Sequence, residues 1–168
     1  MEVRLTDGSR MRIRPIEPAD KEALAAGYLR LSDETIRRRF LTPKPRLSAA
    51  ELRYLTEIDG HDHVAFVASP VEHPDWIVAV ARFVRNAEDP RSAEFAIVVG
   101  DRYQRCGLGS ALARSLIEAA REHDVARFTA TSLSDNVAVR RLVATISEHL
   151  VYDRNSSGID EVVLDVAA

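Results

Sequence analysis

This sequence has a single cysteine, no long apolar run and no excess of basic charge. The single cysteine, Cys106, excludes an internal disulfide and fits a reducing compartment. No apolar run approaches membrane-spanning length, and we expect no signal peptide. The formal net charge of −3 leaves no global basic field for nucleic acid. We therefore expect a cytoplasmic protein without a membrane or nucleic-acid partner.

Linker-like stretches, internal repeats and low-complexity tracts are also missing. The 168 residues are 46% apolar and 29% charged, which is ordinary for a globular protein with one core. We expect residues 1–168 to form a single domain, as a monomer or a homodimer. We expect no metal, because His61 and His63 lack a third ligand at a clear spacing.

The most informative stretch runs from Ser92 to Asp124 and reads as strand, loop and helix. Glu94 to Val99 is a short β-type run, apolar after its first residue, and 100–109 is rich in glycine and arginine. From Leu108 onward, apolar residues recur at helical spacing. The first N–H groups of a helix lack internal partners, and glycines let an anion approach them closely. This loop can therefore hold phosphates.

Two well-known phosphate loops do not match this stretch. A Walker loop ends in Gly-Lys-Ser/Thr, and no lysine is present here. A dinucleotide fingerprint needs a third glycine, and that position is Leu112. What remains is the pattern Q-x-x-G-x-G at residues 104–109, which follows a strand.

The rest of the chain alternates between strand and helix signals. An opening hairpin is predicted to turn at 6–9, where Asp-Gly is a strong signal. Further strands are predicted over 64–69, 76–85, 125–133, 149–154 and 159–166. Helices are predicted over 19–31, 32–40, 48–58 and from the Ser134-Asp135-Asn136 cap to about Glu148.

The loop, its flanking strand and helix, and Asn136 on the next helix together resemble the GCN5-related N-acetyltransferase (GNAT) superfamily. The pyrophosphate loop of that superfamily is Q/R-x-x-G-x-G/A between its fourth strand and third helix. The resemblance implies an α+β (mixed α/β) fold with a central twisted mixed sheet and helices on both faces. The alternative reading is a glycine-containing turn at an ordinary strand–helix junction.

Within the superfamily, the chain resembles the acetyltransferase domain of bacterial Pat-type protein lysine acetyltransferases. The matching segments span nearly the whole domain: 6–20, Arg39-Phe40, Glu51-Leu52, 56–59, 64–68 and 93–96. The resemblance implies acetyl-CoA as co-substrate and a protein lysine as acceptor, for example on a metabolic enzyme such as an acyl-CoA synthetase. Such enzymes usually carry a further regulatory or synthetase-like domain, for which we expect no room here.

The predicted contacts with acetyl-CoA come mainly from the main chain. Amides from Arg105 to Ser110 can hold the pyrophosphate, and the side chains of Arg102 and Arg105 can add charge. The resemblance implies that Ile97 to Val99 bind the pantetheine arm like an added strand and polarise the thioester carbonyl. The predicted cofactor-binding residues are Ile97, Val98, Val99, Gln104, Arg105, Cys106, Gly107, Leu108, Gly109, Ser110 and Asn136. A plain helix cap is the alternative role of Asn136.

Acetyl transfer also needs a base, because a lysine amine has an unperturbed pKa of about 10.4 and arrives charged. Glu94 is the only carboxylate in the apolar stretch before the loop, and the Pat-type pattern has its catalytic glutamate there. We expect partial burial to raise the pKa of Glu94 toward that of a useful base. An exposed glutamate at a strand start is the alternative.

A side-chain general acid is not evident. Many superfamily members have a tyrosine in N-x-x-A-x-x-L-Y, where this chain has Val143, and Tyr103 and Tyr152 are weak substitutes. A thiol has a pKa near 8.5, so the thiolate leaves readily without one. Two alternatives stay open: transfer to a small amine, and an acyl-CoA-binding sensor with little turnover.

Three further features are interpreted as structural. Arg37–Arg39 reads as a solvated face, with a grip on an acidic substrate or phosphate as the alternative. Cys106 reads as a small loop-filling residue rather than an acyl-carrying nucleophile. Trp76 reads as a core residue or a strand-end plug.

Overall fold

The residues that the structure describes are 1–146, 150–156 and 158–167, and for 150–156 only the backbone is described. In this computed structural model the strands are β1 (Glu2–Arg4), β2 (Arg10–Pro15), β3 (His63–Pro70), β4 (Ala79–Arg85), β5 (Ser92–Val99), β6 (Arg127–Leu133), β7 (Leu150–Ser156) and β8 (Ile159–Asp165). The helices are α1 (Lys21–Leu29), α2 (Asp33–Phe40), α3 (Ala49–Thr56), α4 (Leu108–Glu122) and α5 (Val137–Ile146).

The described strands form one mixed sheet in the order β1-β2-β3-β4-β5-β6-β8-β7. The β5–β6 pair is parallel, and the other neighbouring pairs are antiparallel. A parallel pair needs a long crossover, which α4 supplies between β5 and β6. The mixed sheet confirms the predicted fold class.

Helices cover both faces of the sheet, and β4 shows how its side chains alternate between them. Phe83 belongs to the core under α4, whereas Val80 belongs to the opposite core under α1 and α3. The α4 core includes the fully buried Leu108, Leu112 and Leu116. The opposite core includes Leu24, packed with Leu52 and Leu55. None of the described helices is long and apolar enough to cross a membrane.

Most predicted boundaries lie within a few residues of the observed ones, and β4 is the main exception. The strand was predicted from Trp76, but its pairing with β3 begins at Ala79. A turn precedes it, in which the N–H of Trp76 donates to the carbonyl of His73 at 3.0 Å. Trp76 is 41% exposed and stacks on the His73 ring with centroids 4.3 Å apart. The prediction that Trp76 lies in the core or plugs a strand end is therefore wrong.

The last predicted boundaries cannot all be compared. Helix α5 is described to Ile146 and β7 from Leu150. The predicted helix end at Glu148 and strand start at His149 lie outside the described residues.

The sheet opens between β5 and β6. These strands pair only from Ser92↔Arg127 to Glu94↔Thr129, although they continue to Val99 and Leu133. On its other side β5 stays paired with β4 along its whole length. Beyond Glu94, the β5 edge that faces β6 therefore borders a cleft, and its main-chain groups, apart from the Val99 carbonyl that accepts from the Gln104 side chain, are without a strand partner and can pair with an extended ligand.

Candidate active site

The loop between β5 and α4 ends at the N-terminus of α4. Gly107 adopts φ +91° at the N-cap of α4, a left-handed conformation that favours glycine. The N–H of Ala111 donates to the Gly107 carbonyl at 3.1 Å and makes the first intrahelical bond. The amides of 108–110 precede that bond, so helix geometry leaves them available to a ligand. This geometry fits the pyrophosphate of a CoA thioester.

Several of the predicted cofactor residues contribute main chain rather than side chain. The Leu108 side chain is fully buried in the core. Arg105 adopts φ +59°, an uncommon conformation for a residue with a Cβ. The Cys106 sulfur lies 3.3 Å from the Gln104 carbonyl and packs against the α4 core, which agrees with a loop-filling role.

Gln104 is used inside the protein. Its amide nitrogen donates to the Val99 carbonyl at 2.9 Å and to the Thr35 hydroxyl at 3.1 Å. An amide nitrogen carries two hydrogens, so both are engaged in these bonds. Gln104 therefore joins the end of β5 to α2. Its side-chain nitrogen holds the loop in place and has no hydrogen left to donate to a ligand.

Asp101 forms a second link between the loop and α2, which the sequence analysis missed. Its carboxylate accepts from the Ser32 hydroxyl at 2.6 Å, the Ser32 N–H at 3.0 Å and the Thr35 hydroxyl at 2.9 Å. Burial alone raises the pKa of Asp101, but these bonds outweigh it and hold the pKa below its usual range. The sequence signal was local only: Ser32 reads as a helix cap, and nothing there indicates its distant partner.

Glu94 lies on the face of β5 that turns away from the α4 core. The strand register sets Glu94 opposite Val84 and Ala96 opposite Arg82 on β4. The prediction of a partly buried Glu94 is wrong, because its side chain is exposed. It stands where the strand pairing with β6 ends, at a border of the sheet that water reaches. The exposure leaves the carboxylate accessible to an incoming amine.

A cavity of about 60 Å³ lies on the sheet face that carries Glu94, between the first three helices and strands β4 and β5. Most of its wall is apolar, including Leu24, Tyr28, Phe40, Val80, Ala96 and Val98. Ile97 and Val99, which alternate with these β5 residues, pack instead against the α4 core. Of the predicted pantetheine residues, Val98 is therefore the one whose side chain faces the cavity.

The arginine run on α2 divides between the surface and this cavity. Arg37 and Arg38 form ion pairs with Glu34 at 3.3 and 2.8 Å. Arg39 lines the cavity instead, so the solvated-face interpretation is wrong for this residue. Burial lowers the pKa of Arg39, and the negative charge of Glu94 opposes that shift.

Asn136 and the two histidines have structural partners. Asn136 is 5% exposed, and its side-chain oxygen accepts from the Val139 N–H at 3.3 Å, which caps α5. Its contact with cofactor stays a prediction. The His63 ring accepts from Arg82 at 2.9 Å, whereas His61 contacts Asp62 at 2.8 Å. Among the described residues, no three histidine, cysteine or acidic side chains are grouped to hold a metal ion.

Comparison with known proteins agrees with this geometry. The family model for the acetyltransferase (GNAT) domain matches residues 10–146. This chain belongs to the GNAT acetyltransferase family. The chain is 35% identical over 164 residues to the acetyltransferase Pat of Mycolicibacterium smegmatis. That alignment covers 98% of this chain and 48% of Pat, so the GNAT chain spans about half the length of that relative.

Solved structures support the same family and fold. The GNAT domain of S. lividans PAT superposes with a TM-score of 0.89 at 31% identity, covering 98% of this chain and 96% of that domain. The putative acetyltransferase yncA of Salmonella typhimurium, solved with acetyl-CoA, has a TM-score of 0.73 at 18% identity, covering 93% and 94%. The second similarity shows the fold alone.

Proposed function

We propose that this GNAT domain transfers the acetyl group of acetyl-CoA to a primary amine on a protein lysine, with Glu94 as general base. The observation that carries the proposal is the layout of β5. Its unpaired edge faces the cleft, its far end leads into the amides of 108–110, and Glu94 stands where the cleft begins. Binding groups and a base therefore lie along a single strand.

The residues present fit a CoA thioester. The free amides at the start of α4 suit a diphosphate, and the open β5 edge suits an extended amide-bearing arm. The thioester supplies an activated acetyl group. A main-chain N–H of 97–99 is available to its carbonyl oxygen, where it would stabilise developing negative charge.

Glu94 would take a proton from the incoming ammonium group, directly or through one water. The neutral nitrogen then forms a bond to the acetyl carbon, the carbon–sulfur bond breaks, and the nitrogen releases its surplus proton to solvent, which leaves a neutral amide. The pKa of the thiol is low enough for the thiolate to leave unaided, and the thiolate then takes a proton from solvent. Because Glu94 is exposed, it can return its own proton to water without a relay.

Protein lysine is the favoured acceptor because of the similarity to Pat relatives. A small amine is the second candidate, and the partly open, largely apolar cavity on the Glu94 face of the sheet favours it. Competition between lysine peptides and small amines for transfer would separate the two acceptors. An acyl-CoA-binding sensor would bind acetyl-CoA and release no thiol with any amine, which would refute the proposed transfer.

Replacing Glu94 tests the base directly. We expect Glu94→Gln to lower turnover at least tenfold, because the amide cannot accept the proton, while acetyl-CoA binding is retained. Thiol release measures turnover, and calorimetric titration measures acetyl-CoA binding. The exposed Glu88→Gln in the turn before β5 is the matched control and should keep full turnover. Unchanged turnover in Glu94→Gln would remove Glu94 from the mechanism.

A further inference from the structure

Two arginines line the cavity on the Glu94 face of the sheet, and they come from different elements. Arg39 comes from the last turn of α2 and Arg82 from the middle of β4. Arg82 is only 6% exposed, and it sits on the sheet face that Val80 and Val98 also line. Cationic groups thus interrupt an otherwise largely apolar wall.

Neither guanidinium has an acidic partner at ion-pair distance among the described side chains. Arg82 donates to the Leu55 carbonyl through both terminal nitrogens at 3.3 Å and to the His63 ring at 2.9 Å, and both partners are neutral acceptors. Arg39 lies over the Phe40 ring, 4.9 Å from its centroid. By contrast, Arg14 makes a two-pronged contact with the buried Asp20 at 2.7 Å.

The positive charge in the cavity is therefore poorly compensated. Burial lowers the pKa of Arg82 to about 10, with the Arg39 charge adding to the shift. Glu94 raises the pKa of Arg39 through its charge and makes no ion pair with it. Tyr54 opposes the lowering of the pKa of both arginines. A buried cation without an anionic partner is costly, and such groups usually find a partner in the functional complex.

We propose that this cavity is a carboxylate-binding subsite, in which Arg39 and Arg82 bind the anion and the apolar wall holds a short aliphatic stem. The proposal rests on the proposed function, since the subsite lies on the sheet face that carries Glu94 and is lined by Val98, one of the residues assigned to the thioester arm. The carboxylate has two chemical sources: the far end of a dicarboxylic acyl chain on CoA, or the carboxylate of an amino-acid acceptor. Guanidinium groups recognise carboxylates from both sources alike.

The first arm of the test compares CoA thioesters by calorimetric titration of the whole chain. Succinyl-CoA and butyryl-CoA have four-carbon acyl chains, and only the first ends in a carboxylate. If the anion belongs to the acyl chain, succinyl-CoA should bind at least tenfold more tightly. The second arm titrates leucine and leucinamide onto the CoA-saturated protein. If the anion belongs to the acceptor, leucine should bind at least tenfold more tightly.

Variants on α2 assign the preference to its residues. Arg39→Gln should abolish the preference for the carboxylate ligand, and Arg39→Lys should retain part of it, because the charge remains without the planar fork. Arg38→Gln, one position away but paired with Glu34 outside the cavity, should leave the preference unchanged. No carboxylate preference in either arm, or one that survives in Arg39→Gln, would overturn the proposal.

These binding readouts are independent of turnover. Glu94→Gln should keep the carboxylate preference while losing transfer, so failure of the base and failure of the subsite give different results. A wild-type protein that transfers acetyl groups but shows no carboxylate preference would retain the proposed function and lose this subsite.

Discussion

At Gly107 the backbone must turn left-handed so that the next three amides point out of the helix start. Its φ is +91°, and a Cβ built there meets no atom within 4 Å. The requirement for glycine is therefore conformational rather than steric. Gly109 differs, because a Cβ there meets Val99 and Leu142 only at ordinary contact distances of 3.8 and 3.9 Å. Of these two loop glycines, only Gly107 is needed for its backbone angles.

Replacing Gly107 with alanine should therefore weaken acetyl-CoA binding. The strain should also lower the free energy of unfolding by roughly 1 kcal/mol. Gly8→Ala is the matched control, since Gly8 has φ +88°, equally open surroundings and a place in the β1–β2 turn. Urea unfolding should give similar losses for both variants, and calorimetric titration should show weaker cofactor binding only for Gly107→Ala. Equal affinities would contradict a phosphate-holding role for this turn.

Strands β3 and β4 bury a histidine against an arginine. His63 is 9% exposed, and its ring accepts a hydrogen bond from Arg82, which can only donate. Burial, reinforced by the Arg82 charge, lowers the pKa of His63 from 6.5 to about 4. The unfolded chain therefore takes up the proton at a higher pH than the folded one. Stability is complete above pH 6.5 and declines as the pH falls toward 4.

The His63 contribution should amount to about 3 kcal/mol between pH 6.5 and pH 4. His63→Gln keeps an acceptor for Arg82 but has no titrating group, so its unfolding free energy should fall less over this range. Urea unfolding of both proteins at pH 7 and pH 4.5 measures the difference. The carboxylates of the protein titrate in both and cancel in the comparison. Parallel losses would mean that His63 is not buried in its neutral form.

The elements were largely predictable because their signals are local. Helix α4 follows from its apolar spacing, and α3 from the Ser48–Glu51 capping box, which the structure contains. The start of β4 was not predictable in this way, because Trp76 and Ile77 continue the apolar pattern although pairing with β3 begins only at Ala79. The Asp101 contact with α2 and the inward turn of Arg39 were also missed, since both depend on residues distant in sequence.

At the scale of the whole molecule, Asp101 joins the loop between β5 and α4, which would hold the cofactor, to helix α2, which borders the cavity. It receives bonds from Ser32 and Thr35 at the start of α2, and Arg39 lies at the other end of that helix. A ligand that orders the loop would therefore also steady α2. Such coupling is reciprocal between the two ligands.

Replacing Asp101 with alanine should reduce this coupling. In wild type, we expect saturating CoA to tighten acceptor binding severalfold, and in Asp101→Ala we expect that gain to shrink because α2 is released from the loop. Asp33→Ala, in the first turn of the same helix, is the matched control and should preserve the gain. Acceptor titrations with and without CoA give the measurement. An undiminished gain in Asp101→Ala would show that the two halves communicate by another route.

The opening between β5 and β6 also bears on the solubility of the protein. A strand edge without a partner is a template on which another chain can add, so the β5 edge in this cleft is an aggregation hazard at high concentration. A bound CoA would occupy that edge, whereas inorganic pyrophosphate would fill only the helix start. CoA should therefore slow the rise of light scattering on storage far more than pyrophosphate does. The cofactor would thus slow aggregation of the stored protein as well as take part in its chemistry.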